Sequence, residues 1–198
     1  MMNSRDRHSW SVCVSSDDIL NFIVYIGCSY GLIDEKKYAG KEILWPPKFL
    51  NTEADSEQWE KWFEEIVRIK AEKIKGGRPN TAYEEYMPPE FSSVGCPVLK
   101  ECCRNSWPKF YEWWSMMAGG RNATNFVEQL GSGKIGEYVN EVERKLGREV
   151  KPFSLNIDLV YTGINEVMDI NDQFVIAPLN PIITLDKAWW IKKLYEIG

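Results

Sequence analysis

The sequence predicts an α+β protein: the N-terminal two-thirds is mainly helical, and the C-terminal third forms an antiparallel β-meander of three or four strands closed by a terminal helix. Two observations predict this order. Apolar residues recur every three to four positions up to residue 146, and they alternate with polar residues from residue 153 onwards. The length of 198 residues favours a single globular domain over 1–198, with a possible subdivision at the proline-rich stretch near 78–98.

Two helices are predicted in the first half of the chain. The first begins at the polar run over 15–18, where Asp17 and Asp18 suit a helix start, and apolar residues at 19, 22, 23, 26 and 30 then share one face. The second begins at Asp55, which forms a capping-box pattern with Gln58. Its apolar stripe consists of Trp59, Trp62, Phe63, Ile66 and Ile69. Glycines at 76 and 77 end it.

Shorter helices are predicted in the middle of the chain. One is expected over 98–105, and a separate one begins at Trp107-Pro108, because proline is favoured in the first turn of a helix. Gly119-Gly120 ends that helix, and a short helix or turn follows over 125–130. A further helix carries apolar residues at 135, 138, 139, 142 and 146 and ends at Gly147.

From residue 153 the spacing is that of strands. Apolar residues at 153, 155, 157, 159 and 161 alternate with Ser154, Asn156 and Asp158, which predicts one buried and one solvent-facing side. Two further strands, over 166–170 and 173–177, flank Asn171-Asp172, which suits a hairpin turn. A short strand over 182–184 and a final helix capped by Asp186 complete the prediction.

Composition excludes several classes of function. The single histidine, His8, lies within the first ten residues, so catalytic relays and metal sites that need histidine are not expected. The net charge of −5, with acidic and basic residues interleaved, disfavours a nucleic-acid surface. The most apolar stretch, over 19–33, contains polar residues and is too short to span a bilayer. The sequence therefore predicts no cofactor, no nucleic-acid partner and no membrane partner.

The cysteines indicate a reducing compartment. There are five, two of them adjacent (Cys102 and Cys103), and none forms a C-x-x-C pair. Because no apolar leader is visible at the N-terminus, we expect free thiols in a cytoplasmic protein.

A surplus of large aromatic side chains is the strongest indication of a binding surface, with nine Trp and nine Tyr. Two tryptophan pairs are adjacent in sequence, so one ring of each pair is expected inside and the other at the edge of the apolar stripe or outside it. The loop over 78–97 offers further rings. The candidate binding residues are Tyr83, Tyr86, Phe91, Trp113, Trp114, Trp189 and Trp190. The alternative is that these rings belong to an aromatic core and hold the loop against it.

A second set of candidates consists of carboxylates in the predicted sheet. Asp158, Glu166 and Asp169 come from neighbouring predicted strands, and three such groups suit magnesium or manganese. In the function that we favour, given below, no residue is catalytic and none binds a metal. These three carboxylates therefore belong to an alternative function.

Three functional hypotheses follow. The first is an acidic, cytoplasmic protein-binding module of the inhibitor, immunity or docking type, whose protein partner has a basic surface. The second is a metal-dependent phosphodiesterase or nuclease that works through the sheet carboxylates. The third is a module that binds a small molecule in an aromatic pocket.

Overall fold

A four-stranded sheet organises the structure, a computed structural model that describes residues 9–38, 46, 48, 50–76, 86–131, 134–179 and 185–198. The strands are β1 (Trp10–Ser15), β2 (Phe153–Val160), β3 (Met168–Asn171) and β4 (Phe174–Pro178). They lie in the order β1-β2-β4-β3. Strands β1, β2 and β4 are parallel to one another, and β3 is antiparallel to β4.

Helices cover both faces of this sheet. Within the described residues they are α1 (Asp18–Ser29), α2 (Glu35–Tyr38), α3 (Ser56–Gly76), α4 (Pro97–Ser115), α5 (Gly120–Gly131), α6 (Ile135–Leu146) and α7 (Lys187–Ile197). Alternate residues of β2 and β4 face two separate cores. Val160 and Ile176 face the first core with α1, α3 and α4, whereas Leu159 and Val175 face the second core with α6 and α7.

The predicted antiparallel meander is wrong. The fold is α+β, but its sheet is mixed and mostly parallel, and its first strand comes from the N-terminus. The predicted hairpin is present as β3 and β4, whereas β2 pairs with β1 and β4 in parallel. The prediction failed at Asp158, which was expected on a solvent-facing side and is buried beneath α3. Parallel sheets covered by helices on both faces bury both sides of a strand, so a polar residue in the pattern does not show where solvent lies.

Strand β1 was missed because its partner is distant in sequence. Ser15 aligns with Asp158 in the parallel register, 143 residues further along the chain. The three apolar residues of β1, Trp10, Val12 and Val14, are partly buried against the second core. A short alternation near a chain end specifies neither the direction nor the identity of the strand that pairs with it.

The predicted helix starts are confirmed by their caps. Asp17 accepts a hydrogen bond from the Leu20 backbone N–H at 2.7 Å, and Asp186 accepts one from the Trp189 N–H at 2.8 Å. At α3 the capping box is complete: the Gln58 N–H donates to the Asp55 carboxylate at 2.8 Å, and the Asp55 N–H donates to the Gln58 side chain at 3.3 Å. Local sequence determines these ends because the cap and its partner are three residues apart.

The predicted break at Pro108 is wrong. Residues 97–115 form one continuous helix, α4, with Pro108 inside it and exposed. Proline removes one backbone hydrogen bond from a helix interior, which usually ends or kinks it. Here Trp107, directly before the proline, and Phe110, two residues after it, pack their rings 5.7 Å apart, and both contact Phe22 of α1. This tertiary packing offsets the lost bond.

The strand predicted over 182–184 lies outside the described residues.

Helices α1 and α3 cross in close contact. A Cβ atom at Gly27 would lie 2.6 Å from the indole of Trp59, so only glycine allows this approach. The same indole donates from Nε1 to the backbone oxygen of Ile23 at 2.9 Å. This contact aligns α3 so that Lys70, near its C-terminal end, reaches the sheet.

Candidate functional site

The candidate aromatic residues do not form one surface. Phe91 and Trp114 are fully buried, and Tyr86 and Trp190 are nearly so. Trp113 and Trp189 are half-buried, so each tryptophan pair has one ring inside and its neighbour nearer the surface, as the helical spacing predicted. Tyr83 lies outside the described residues.

The end of the long loop, from Tyr86 onwards, is held against α1 and α4. Phe91 stacks on Phe22 with ring centroids 5.5 Å apart and lies edge-on to Trp107 at 6.2 Å. Its φ is +48°, a conformation that bulky residues rarely adopt. Burial of the whole ring offsets this strain. At Tyr86 and Phe91, therefore, the loop rings contribute to the core.

The first tryptophan pair joins α4 to the start of α1. Trp114 donates from Nε1 to the Asp18 carboxylate at 2.7 Å and stacks on Phe110 with centroids 5.5 Å apart. Trp113 lies against Tyr25 and Tyr161, with centroids at 6.3 and 5.1 Å. Trp114 is a core residue, and Trp113 covers the edge of that core.

The three candidate carboxylates are separated by the sheet. Asp158 lies on the face beneath α3, where Lys70 pairs with it. Asp169 of β3 binds Lys193 of α7 at 2.7 Å, on the opposite face. Glu166 is exposed in the segment before β3. Within the described parts of the chain, no three histidine, cysteine or acidic side chains are close enough to hold a metal ion. The structure thus does not bring Asp158, Glu166 and Asp169 together.

Asp158 instead belongs to an ion-pair network at the carboxyl ends of β1 and β2. Lys70 pairs with Asp158 and also with Asp17, at 3.1 Å, and the Ser15 hydroxyl donates to Asp158 at 3.1 Å. Burial raises the pKa of Asp158 above its ordinary value, and Lys70 acts in the opposite direction. Since Asp17 is also the cap of α1, the network connects β1, β2, α1 and α3. Lys70 is shared between the two carboxylates, and each group of the network contacts another element of the fold, which indicates a structural role.

Sequence reasoning missed an apolar surface where α4 meets α5. We call it the corner patch, and it consists of Tyr111, Met116, Met117 and Phe126. Met117 is 93% exposed and Phe126 63% exposed. The available signal was Met116-Met117, separated from Gly119-Gly120 only by Ala118. Apolar residues at a sharp corner between two helices have no helical stripe to join.

Contacts from Asn122 and Arg121 order the corner that carries the patch. Asn122 donates from its side-chain amide to the backbone oxygens of Met116 and Met117, at 3.2 and 3.1 Å. The guanidinium of Arg121 lies over the Tyr111 ring at 5.9 Å while pairing with Asp18. Phe126 follows Asn122 by one helical turn, on the same side of α5. The four apolar side chains therefore lie around one ordered corner.

The five cysteines are all free thiols, as predicted, and their surroundings differ. Cys13 is exposed on β1, whereas Cys28 and Cys103 are buried. Burial raises the pKa of Cys28 to about 12 and also raises that of Cys103. A buried, protonated thiol reacts slowly, because the thiolate is the nucleophile.

We therefore expect a thiol reagent at neutral pH to label Cys13 first. Peptide mapping of the native protein is expected to find Cys13 modified well before Cys28 and Cys103, and Cys13→Ser is expected to remove the fast phase. In denaturant, without reductant, all five thiols are expected to react. Early modification of Cys103 in the native protein would contradict the burial described above.

Comparison with protein-family models finds no matching family, and comparisons with curated proteins and with solved structures find no match. Among the residues that the structure describes, no helix is both long and apolar enough to cross a membrane.

Proposed function

We propose that this protein is a protein-binding module that docks its partner on the corner patch. The observation that carries the proposal is the exposure of Met117, with Met116, Phe126 and Tyr111 beside it. Single exposed apolar residues are ordinary on protein surfaces, whereas several grouped together indicate an interaction site. Methionine side chains suit such a site because they are flexible and polarizable and adapt to a partner's shape.

The charge of the chain indicates the chemistry of the partner. The net charge is −5, and the exposed Glu112 lies in the last turn of α4, four residues before Met116. Arg121, the cation within the corner, is already paired with Asp18. The proposed partner therefore presents an apolar surface bordered by basic side chains, since opposite charges accelerate association while buried apolar groups supply affinity.

The test compares charged substitutions on and off the corner patch. A partner captured by the wild-type protein is purified, and its affinity is measured for Met117→Asp, Phe126→Asp and Tyr195→Asp. Tyr195 is a matched control because it is 41% exposed and lies on α7, a helix that contributes no residue to the corner patch. We expect the two patch variants to lose at least tenfold in affinity, the loss typical of an interface hot spot, and Tyr195→Asp to bind like the wild type.

Hydrogen exchange in the complex gives an independent reading. We expect the partner to slow amide exchange over residues 111–126 and to leave α7 unchanged. All three variants should melt like the wild type, because the substituted side chains are exposed. Equal affinities for patch and control variants would contradict the proposal. So would wild-type self-association that the patch substitutions abolish, because the occupant would then be a second copy of the chain.

A further inference from the structure

Two adjacent methionines give the corner patch a chemistry that its aromatic residues lack. Met117 is 93% exposed and Met116 is 50% exposed. Met116 is the C-cap of α4, and Met117 follows it in the turn that leads to α5, where the apolar stripe of α4 has ended. A thioether that an oxidant can reach is converted to a sulfoxide, which is polar and accepts hydrogen bonds. The patch is therefore apolar only while these sulfur atoms are reduced.

The other methionines that the structure describes are less accessible than Met117. Met87 is 39% exposed in the segment before α4. Met168 of β3 is partly buried against the first core. Since oxidation of a thioether requires contact with the oxidant, exposure predicts the order of reaction. An oxidant in solution therefore reaches the corner patch before it reaches the sheet.

Backbone hydrogen bonds fix the corner independently of the methionine side chains. The Asn122 amide donates to the backbone oxygens of Met116 and Met117, at 3.2 and 3.1 Å. The Gly119 N–H also donates to the backbone oxygen of Met116, at 2.9 Å. Oxidation of the two sulfur atoms leaves all these groups unchanged. The expected effect of oxidation is therefore a change in the polarity of the patch and not in its shape.

We propose that Met116 and Met117 are an oxidation site at which a hydroperoxide prevents docking on the corner patch. The sulfur lone pair attacks one peroxide oxygen, and the S–O bond forms as the O–O bond breaks. The leaving oxygen takes up the proton of the transferred hydroxyl and becomes water or an alcohol. The sulfur is oxidised and the peroxide is reduced.

The consequence for docking follows from solvation. At so exposed a position the sulfoxide oxygen is hydrogen-bonded to water, and an apolar partner surface that covers Met117 removes this water without replacing its hydrogen bonds. Oxidised patches are therefore expected to bind the partner weakly. This inference rests on the proposed function, because it concerns the same patch.

The first test maps the oxidation site on the full chain. The wild type is treated with hydrogen peroxide and then with dithiothreitol, which reduces disulfides and sulfenic acids and leaves methionine sulfoxides in place. Tandem mass spectrometry of its peptides is expected to find Met117 oxidised first and Met168 last among the described methionines. The oxidised protein is also expected to elute earlier than the untreated protein from a phenyl column, because its exposed apolar surface is smaller.

The second test measures docking, with the partner that the wild-type chain captures as the probe. The oxidised wild type is expected to bind it about tenfold more weakly, the effect of leaving one polar group without its hydrogen bonds. Methionine sulfoxide reductases of both stereospecificities are expected to restore the affinity. This reversal decides the question in the wild-type protein, whether or not a variant folds.

Two variants assign the effect to the patch. In Met116→Leu, Met117→Leu the patch contains no sulfur, so peroxide-treated and untreated samples of this variant are expected to bind alike. Met87→Leu is the control, because it removes an exposed methionine outside the patch. Oxidation is expected to weaken its binding as much as it weakens that of the wild type.

The outcomes that contradict this inference differ from those that contradict docking. Oxidation of Met168 before Met117, or an unchanged elution position of the oxidised wild type, overturns the site without any partner being needed. Unchanged affinity of the oxidised wild type, while Met117→Asp has lost affinity, overturns the effect on docking and leaves the proposed function intact. Equal affinities of untreated wild type and Met117→Asp show instead that the proposed function is wrong.

Discussion

Replacing Lys70 by methionine is expected to destabilise the protein by about 3–5 kcal/mol at neutral pH, the usual cost of removing one partner from a buried ion pair. The Lys70 side chain is 12% exposed and that of Asp158 is 7% exposed. Without Lys70, the carboxylate of Asp158 keeps one partner among the described residues, the Ser15 hydroxyl at 3.1 Å, and it stays buried. Urea unfolding of the wild type and Lys70→Met measures the difference.

A second substitution tests whether the loss of stability in Lys70→Met comes from the charge left on Asp158. Asp158→Asn is expected to lower the free energy of unfolding less than Lys70→Met does, because Lys70 still pairs with Asp17 at 3.1 Å. The double variant Lys70→Met, Asp158→Asn is expected to be more stable than Lys70→Met alone, since the uncompensated charge is gone. The control is Lys61→Met, whose partner Glu57 is exposed, and it is expected to cost about 0–1 kcal/mol. Additive effects at Lys70 and Asp158 would show that the pair does not interact as described.

The loss of stability caused by Lys70→Met is also expected to depend on pH. Burial raises the folded-state pKa of Asp158 above 3.8, and loss of Lys70 removes the main effect that lowers it. The folded state then holds the proton more tightly than the unfolded state does. Stability therefore falls as pH rises from near 3.8 through the raised folded-state pKa. The gap between the wild type and Lys70→Met should widen over that window, and a constant gap would contradict the argument.

Replacing Trp114 by alanine is expected to cost about 3–5 kcal/mol, the range for removing a large aromatic side chain from a core. Trp114 has no exposed surface, stacks on Phe110 and donates to Asp18. A Cβ at Gly120 would lie 2.3 Å from its ring, which shows how closely α5 packs here. Since small domains are stable by about 5–15 kcal/mol, the variant is expected to lose a large share of its stability.

The neighbouring tryptophan supplies the control. Trp113→Ala removes a half-buried ring from the same helix and is expected to cost less than Trp114→Ala. Thermal and urea unfolding of both variants give the comparison. If the two substitutions cost the same, the orientation of α4 in the core would differ from the one described.

Sequence patterns predicted the local elements well where the determining residues are neighbours. The capping box of Asp55 and Gln58, the cap at Asp186 and the hairpin between β3 and β4 each depend on residues a few positions apart. For the same reason the pattern identified β2 as a strand with Leu155, Ile157 and Leu159 buried on one face. Pro108 is the exception, since packing around it preserves a helix that local rules would break.

The candidate sites were harder to predict from sequence, because the exposure of a side chain depends on distant segments of the chain. An aromatic residue is recognisable in the sequence, but whether it faces a partner or the core depends on what packs over it. Phe91 and Trp114 became core residues, whereas the exposure of Met117 required the corner between α4 and α5 to be known. Composition predicted free thiols, and only the fold shows that Cys13 is the exposed one on β1.

The sequence by itself determined most helix positions, their caps and the strands of the C-terminal third, because these depend on hydrogen bonds and periodicities within a few residues. Only the tertiary structure decided the parallel pairing of β1 with β2, the burial of Asp158 beside Lys70 and the separation of Asp158 from Asp169 by the sheet. These features join segments that are distant in the sequence or lie on opposite faces of the sheet. The interactions that specify them are hydrophobic burial and charge compensation. Periodicity along the chain shows which face of an element is apolar, but it does not show which distant segment packs against that face.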